Sequence, residues 1–96
     1  MGARRQGRKA EPIQLVLYSR PGCHLCDEMK ELIAQVLGDF EASLREVDVS
    51  TDPDLEADYG EQIPVLLVNG KKAFKFRTSR DALRERLERA RDPGAS

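Results

Sequence analysis

The stretch LVLYSRPGCHLC, residues 15–26, decides the fold of this 96-residue chain. It begins with an apolar run that is typical of a β-strand, and residues 20–22 (Arg-Pro-Gly) then predict a turn. It ends in a C-x-x-C pattern that opens an amphipathic helix. Cys23 and Cys26 are the two cysteines of the chain, so any thiol chemistry takes place here. We interpret the rest of the sequence as the scaffold that presents this pair.

Hydrophobic spacing predicts the other elements. Ile13–Tyr18 has the composition of a strand that is buried on both faces. Leu25–Leu37 carries a continuous apolar stripe at helical spacing and is followed by a glycine. Asn69-Gly70 is the strongest hairpin signal. The remaining predicted elements are a strand over 43–49, a short helix capped by Thr51 or Asp52 that ends at Gly60, strands over 65–68 and 71–76, and a last helix from a Thr78 cap to about Arg91.

The order β-α-β-α-β-β-α predicts an α/β fold. A strand, a helix and a strand in succession imply a parallel pair with a right-handed crossover. The hairpin and the last helix then complete a four-stranded mixed sheet with helices on both faces. The sequence predicts one folded domain over residues 13–92, a flexible basic leader over 1–12 and a disordered tail over 93–96.

Composition excludes several function classes. With 40% hydrophobic and 34% charged residues, the chain suits one small soluble domain, and no apolar run approaches the roughly 20 residues of a membrane span. The basic leader contains no aromatic residue and the rest of the chain is net acidic, so we expect no nucleic-acid partner. No apolar segment follows the basic start, which argues against a secretory signal. We therefore expect a cytoplasmic protein that acts as a monomer.

The chemistry of the cysteine pair follows from its position at the start of a helix. Unpaired backbone N–H groups and the positive end of the helix dipole stabilise a thiolate at Cys23. The turn before it is expected to leave its sulfur exposed, while the helix holds Cys26 deeper and within disulfide distance. We therefore expect Cys23 to attack a substrate disulfide and Cys26 to resolve the mixed disulfide.

The sequence leaves other roles open for the two cysteines. A purely structural disulfide would close a very short loop and stabilise the fold little. His24, the only histidine, lies between the cysteines on another side of the helix, so no mononuclear metal site is predicted. The alternatives are a metal or iron–sulfur cluster carrier that uses Cys23 at a dimer interface, and a redox-inactive binding module. His24 itself is either a solvated residue or, when charged, stabilises the Cys23 thiolate.

Three segments resemble the glutaredoxin-like members of the thioredoxin superfamily. They are Tyr18–Cys26 (YSRPGCHLC), Val47–Val49 (VDV) and Ile63–Gly70 (IPVLLVNG), and the resemblance spans residues 13–91. The Cys-His-Leu-Cys motif is similar to that of small bacterial glutaredoxin-like proteins. The resemblance implies a thiol–disulfide oxidoreductase that reduces disulfides of proteins or small molecules through a redox-active Cys23–Cys26 pair.

The resemblance also implies how a substrate and a reductant would bind. Pro64 would be a cis-proline that faces the dithiol, and the backbone of Ile63 would pair with an extended substrate. Residues 76–81 replace the glycine-containing turn that helps glutaredoxins to hold glutathione, although Arg20 and Arg77 remain as candidates to meet carboxylates. We therefore predict no resident cofactor or metal, and either glutathione or a reductase as the electron donor.

Overall fold

Strand β1 (Ile13–Ser19) lies inside a four-stranded sheet with the order β2-β1-β3-β4. In this computed structural model, which describes residues 12–91, β2 (Ala42–Asp48) runs parallel to β1. β3 (Val65–Val68) runs antiparallel to β1 and pairs with β4 (Lys71–Lys75). The predicted mixed α/β sheet is confirmed. The predicted tail and all but the last residue of the predicted leader lie outside the described residues.

Helices α1 (His24–Leu37) and α3 (Arg80–Arg91) pack on one face of this sheet. The apolar stripe that predicted α1 faces the core from Met29 to Leu37, whereas Leu25, its first residue, lies outside the core cluster. Each large side chain removed from water here contributes about 1.5–3 kcal/mol. The core cluster comprises Ile13, Leu15, Leu17, Met29, Ile33, Val36, Phe40, Leu66, Val68, Leu83 and Leu87.

The second face of β1 is only half covered, so the prediction that β1 is buried on both faces was wrong. Burial alternates along the strand, with Val16 and Tyr18 only half-buried. Helix α2 (Pro53–Tyr59) covers this face, and the rings of Tyr18 and Tyr59 stack with centroids 4.4 Å apart. Since α2 has 7 residues and buries none of them fully, it cannot shield the whole strand. Helices nevertheless lie on both faces, as predicted.

The N-terminal caps of α2 and α3 can be compared with the caps that the sequence predicted. Asp52 caps α2, because its Oδ1 accepts the N–H of Asp54 at 2.9 Å, while residues 49–51 form a short 3-10 turn that periodicity did not predict. The predicted Thr78 cap of α3 was wrong. The Oγ of Ser79 accepts the N–H of Ala82 at 3.1 Å, one residue later in the chain. β4 also ends at Lys75, one residue earlier than predicted.

No helix within residues 12–91 is long and apolar enough to cross a membrane.

Candidate functional site

A tight turn joins β1 to α1 and carries Cys23. The N–H of Cys23 donates to the carbonyl of Arg20 at 3.2 Å, which closes the turn over Pro21 and Gly22. Gly22 has a φ of 79°, a left-handed conformation that residues with a side chain rarely adopt. The Pro-Gly pair of the sequence therefore sets the direction in which the chain enters the helix.

The structure joins Cys23 and Cys26 in a disulfide, with Cα atoms 5.2 Å apart. Cys23 is the N-cap of α1, and its Sγ accepts the N–H of Cys26 at 3.1 Å. Cys23 is half-buried, whereas Cys26 is 2% exposed. Cys23 is therefore the more accessible of the two cysteines, and Cys26 lies buried in the first turn of the helix.

Pro64 and Ile63 lie at the same edge of the sheet as this turn. β1 and β3 pair antiparallel, with Tyr18 opposite Val65, so the register continues from the start of β3 to the end of β1. The Ile63–Pro64 peptide bond is cis, as the resemblance implied, and the Pro64 side chain is buried. The strand pairing thus brings these two residues and the cysteine loop together although about 40 residues separate them in sequence.

The His24 side chain points to solvent and to the next turn of α1. Its Nε2 lies 3.0 Å from Oε2 of Glu28, and the side chain is 86% exposed. Successive helical residues are about 100° apart around the axis, so His24 leaves the helix on another side than its neighbour Cys23. A role in stabilising the Cys23 thiolate stays a prediction.

Arg20 has an intramolecular partner, which the sequence did not indicate. Its guanidinium forms an ion pair with Glu56 of α2, and its Nη2 lies 3.4 Å from the carbonyl oxygen of Gly60. These contacts tie the turn before Cys23 to the end of α2. Substrate binding by Arg20 stays a prediction, and it would require a substrate carboxylate to compete with Glu56.

A groove that the sequence did not predict lies along α1, the helix whose first turn carries the disulfide. The first two turns of α1 form one wall and the loop between β4 and α3 forms the other. The sequence did contain one indication of this groove, the apolar residue Leu25 between the two cysteines, which lines it. Its lining residues are Leu25, Glu28, Met29, Leu32, Phe76, Arg77 and Thr78.

Within residues 12–91, no three His, Cys, Asp or Glu side chains gather as ligands of a metal ion. The carrier hypothesis therefore requires ligands from elsewhere, such as a second subunit.

Three comparisons relate the chain to known proteins. The family model described as "Glutaredoxin-like domain (DUF836)" matches residues 14–88. The uncharacterized protein Rv0508 of Mycobacterium tuberculosis is 26% identical over 82 residues, which cover 80% of this chain and 84% of that protein.

Two solved structures share the architecture. The X-ray structure of protein XcR50 from X. campestris is 32% identical, with a TM-score of 0.68 over 77% of this chain and 95% of that one. A mutant thioredoxin from Halobacterium salinarum is 17% identical, with a TM-score of 0.61 over 92% of this chain and 82% of that one, a likeness of fold alone. The family match covers most of the chain and includes both cysteines. The chain therefore belongs to the glutaredoxin-like domain family.

Proposed function

We propose that the protein is a thiol–disulfide oxidoreductase that reduces disulfides of proteins or small molecules. The observation that carries this proposal is the unequal burial of the two cysteines that form a disulfide at the N-terminus of α1. Cys23 is reachable and Cys26 is 2% exposed. A disulfide that only stabilised the fold would have no need of a helix N-terminus, which favours the thiolate form of a reduced cysteine.

The catalytic cycle uses the two cysteines in turn. The Cys23 thiolate attacks one sulfur of the substrate disulfide, forms a mixed disulfide and releases the other sulfur as a thiolate, which takes up a proton. Cys26, as a thiolate, then attacks Cys23 and releases the second substrate thiol. The protein has lost two electrons and the substrate has gained them. The N–H of Cys26, 3.1 Å from the Cys23 sulfur, is a donor that stabilises negative charge there.

The two residues just before β3, Ile63 and Pro64, are the proposed contact for an extended substrate. In support, Ile63 and Pro64 lie at the sheet edge next to the cysteine loop, as the register of β1 and β3 requires. A substrate backbone that pairs with Ile63 would run past Cys23. The pairing would then hold the substrate disulfide in line for attack by the Cys23 sulfur.

The cycle needs an electron donor to return the disulfide to the dithiol. Glutathione and a reductase are the two donor classes that we propose, and a reducing compartment such as the cytoplasm suits either of them. We propose that the protein works as a monomer, since one chain supplies both cysteines.

Paired serine variants test the function. The wild-type protein is assayed for reduction of a small disulfide with glutathione or a thioredoxin reductase system as donor. Cys23→Ser should abolish turnover, and Cys26→Ser should accumulate a mixed disulfide between Cys23 and the substrate that mass spectrometry detects. The pKa of Cys23 should lie below the ordinary thiol value of about 8.5. Absence of turnover with both donors and a Cys23 pKa near 8.5 would refute the function, and full biological activity of Cys23→Ser would favour a binding module.

A further inference from the structure

The groove along α1 has the size of a pocket for one side chain, and four of its seven lining residues are apolar. Leu25, Met29 and Leu32 of α1 face Phe76 and Thr78 of the loop between β4 and α3. The groove has a volume of about 160 Å³, and a cavity of roughly 150 Å³ is enough to hold a benzene molecule. Leu25 precedes Cys26 in the first turn of α1, so an occupant that contacts Leu25 lies against the turn that carries both cysteines.

Phe76 is held in a conformation that an aromatic residue rarely adopts. Its φ is 66°, in the left-handed region that is costly for a bulky side chain. Two hydrogen bonds fix it there. The N–H of Phe76 donates to the carbonyl of Pro64 at 2.8 Å, and the N–H of Arg77 donates to the carbonyl of Lys75 at 2.7 Å. Local strain of this kind is concentrated at functional sites.

The Phe76 ring is also left in contact with water. It is 42% exposed, and it is the one large hydrophobic side chain exposed to this degree in the part of the chain that the structure describes. The fold thus places an aromatic ring at the rim of the groove, at the cost of an unfavourable backbone conformation. Since the N–H of Phe76 donates a hydrogen bond to the carbonyl of Pro64, this rim adjoins the proposed substrate contact at Ile63 and Pro64.

Positive charge surrounds the ring. The Nζ of Lys75 lies 5.5 Å from the centroid of Phe76, and Arg77 lines the groove. Neither cation forms an ion pair with another residue of the range 12–91. The lining also contains the carboxylate of Glu28, so two positive charges stand against one negative charge around the groove. An occupant with a carboxylate is therefore favoured over one with a positive charge.

We propose that this groove binds a segment of a disulfide-bonded protein substrate that carries an apolar side chain and a carboxylate near its cysteine. The inference rests on the proposed oxidoreductase function and names the class of substrate. The apolar side chain packs between Leu25 and Phe76, and the carboxylate lies near Lys75 and Arg77. The protein's own residues 1–11 are a poor occupant, since they hold four basic side chains and one acidic one.

A single-turnover assay with peptide disulfides tests the groove without any electron donor. The fully reduced protein is mixed with a symmetrical disulfide of a short peptide, and its two cysteines transfer two electrons to give two peptide thiols and oxidised protein. Three peptides are compared. In the first, leucine and glutamate flank the cysteine; in the second, serine replaces the leucine; in the third, glutamine replaces the glutamate.

The wild-type protein should reduce the leucine–glutamate peptide about 3–10 times faster than the serine peptide, the gain expected for partial burial of one leucine. Phe76→Gly should bring that ratio close to one. Glycine tolerates a positive φ, so this variant removes the ring without adding strain. Arg77→Gln should remove the preference for glutamate over glutamine, and Arg45→Gln, on the far edge strand β2, is the charge-matched control that should keep it.

Equal rates for all three peptides, or ratios that Phe76→Gly leaves unchanged in a folded variant, would overturn the groove proposal while the oxidoreductase function stands. If the wild-type protein reduces no peptide and no small disulfide, the oxidoreductase function fails and the groove proposal with it. A dimer at assay concentration that Phe76→Gly dissociates would assign the groove to a second copy of the chain and would also overturn the proposal.

Discussion

Reduction of the Cys23–Cys26 disulfide should lower the free energy of unfolding by about 2 kcal/mol at most. The two cysteines are 3 residues apart in sequence, so the bond closes a loop of four residues. The chain-entropy relation for such a loop gives about 6 cal/mol/K, or about 1.9 kcal/mol at room temperature. In the reduced protein, a Cys23 thiolate at the helix N-terminus regains about 0.3–1 kcal/mol from the dipole. The expected net loss is therefore about 1–2 kcal/mol.

The reduced protein should keep its fold because the core does not depend on the disulfide. The core cluster that holds α1 and α3 on the sheet, with Leu15, Ile33 and Leu87 among its members, does not include Cys23 or Cys26. Urea unfolding of the oxidised and reduced protein, followed by circular dichroism, measures the difference. In Cys26→Ala, the same reductant should change nothing, which controls for effects of the reductant itself.

The difference in stability between the oxidised and reduced protein also limits how far the fold can shift the reduction potential of the two cysteines. Because unfolding and reduction form a thermodynamic cycle, a stability difference of about 2 kcal/mol shifts the reduction potential of the folded pair by about 40 mV from that of the unfolded C-x-x-C segment. Equilibration in glutathione buffers measures both potentials. A loss of stability above about 3 kcal/mol, or unfolding on reduction, would refute the reasoning and indicate a structural disulfide.

Three further predictions concern the scaffold and the alternative function. Gly60→Ala should lower the free energy of unfolding, measured in urea, by about 1–3 kcal/mol, because the added Cβ would meet the carbonyl oxygen of Glu56 at 2.5 Å. The control is Gly38→Ala, where the added Cβ would meet nothing within 4 Å, and it should be neutral or slightly stabilising. The hydroxyl and N–H of Ser50 bond the carboxylate of Asp48 and lower its pKa from the ordinary value of 3.8. That contribution to stability is present above pH 3.8 and is lost as the pH falls through the lowered pKa; an NMR titration should show the Asp48 pKa returning towards 3.8 in Ser50→Ala, and an unchanged value would contradict this. Protein purified without oxygen should contain no iron or zinc in fixed ratio to the chain, and metal at one ion or cluster per two chains, lost on chelation, would favour the carrier alternative.

The sequence predicted the parts of the fold that local physics decides. The apolar stripe of α1 and the Asn69-Gly70 turn involve residues only a few positions apart, so their spacing was sufficient. The place of Cys23 at the start of α1 was predicted for the same reason. The position of Pro64 beside the cysteine loop needed one more step, the antiparallel register of β1 and β3, and the resemblance supplied it.

Contacts between distant segments were not predictable in this way. The partner of Arg20 is 36 residues away, and nothing in the pattern around Glu56 distinguishes it from the other acidic residues of α2. Phe76 was predicted as the last residue of a strand because an aromatic residue suits that position. In the structure its backbone is left-handed, and its N–H donates a hydrogen bond to the carbonyl of Pro64. Only the folded sheet brings that carbonyl within reach.

The two residues between the cysteines serve different sides of the site. His24 leaves α1 towards solvent and Glu28, whereas Leu25, about 100° further round the helix, enters the groove. A change at His24 therefore alters the polar contact with Glu28 at the first turn of the helix, and a change at Leu25 alters the groove wall against Phe76. Reactivity and recognition can then vary separately within a single Cys-His-Leu-Cys motif. Glu28 joins the two sides, since it contacts His24 and also lines the groove.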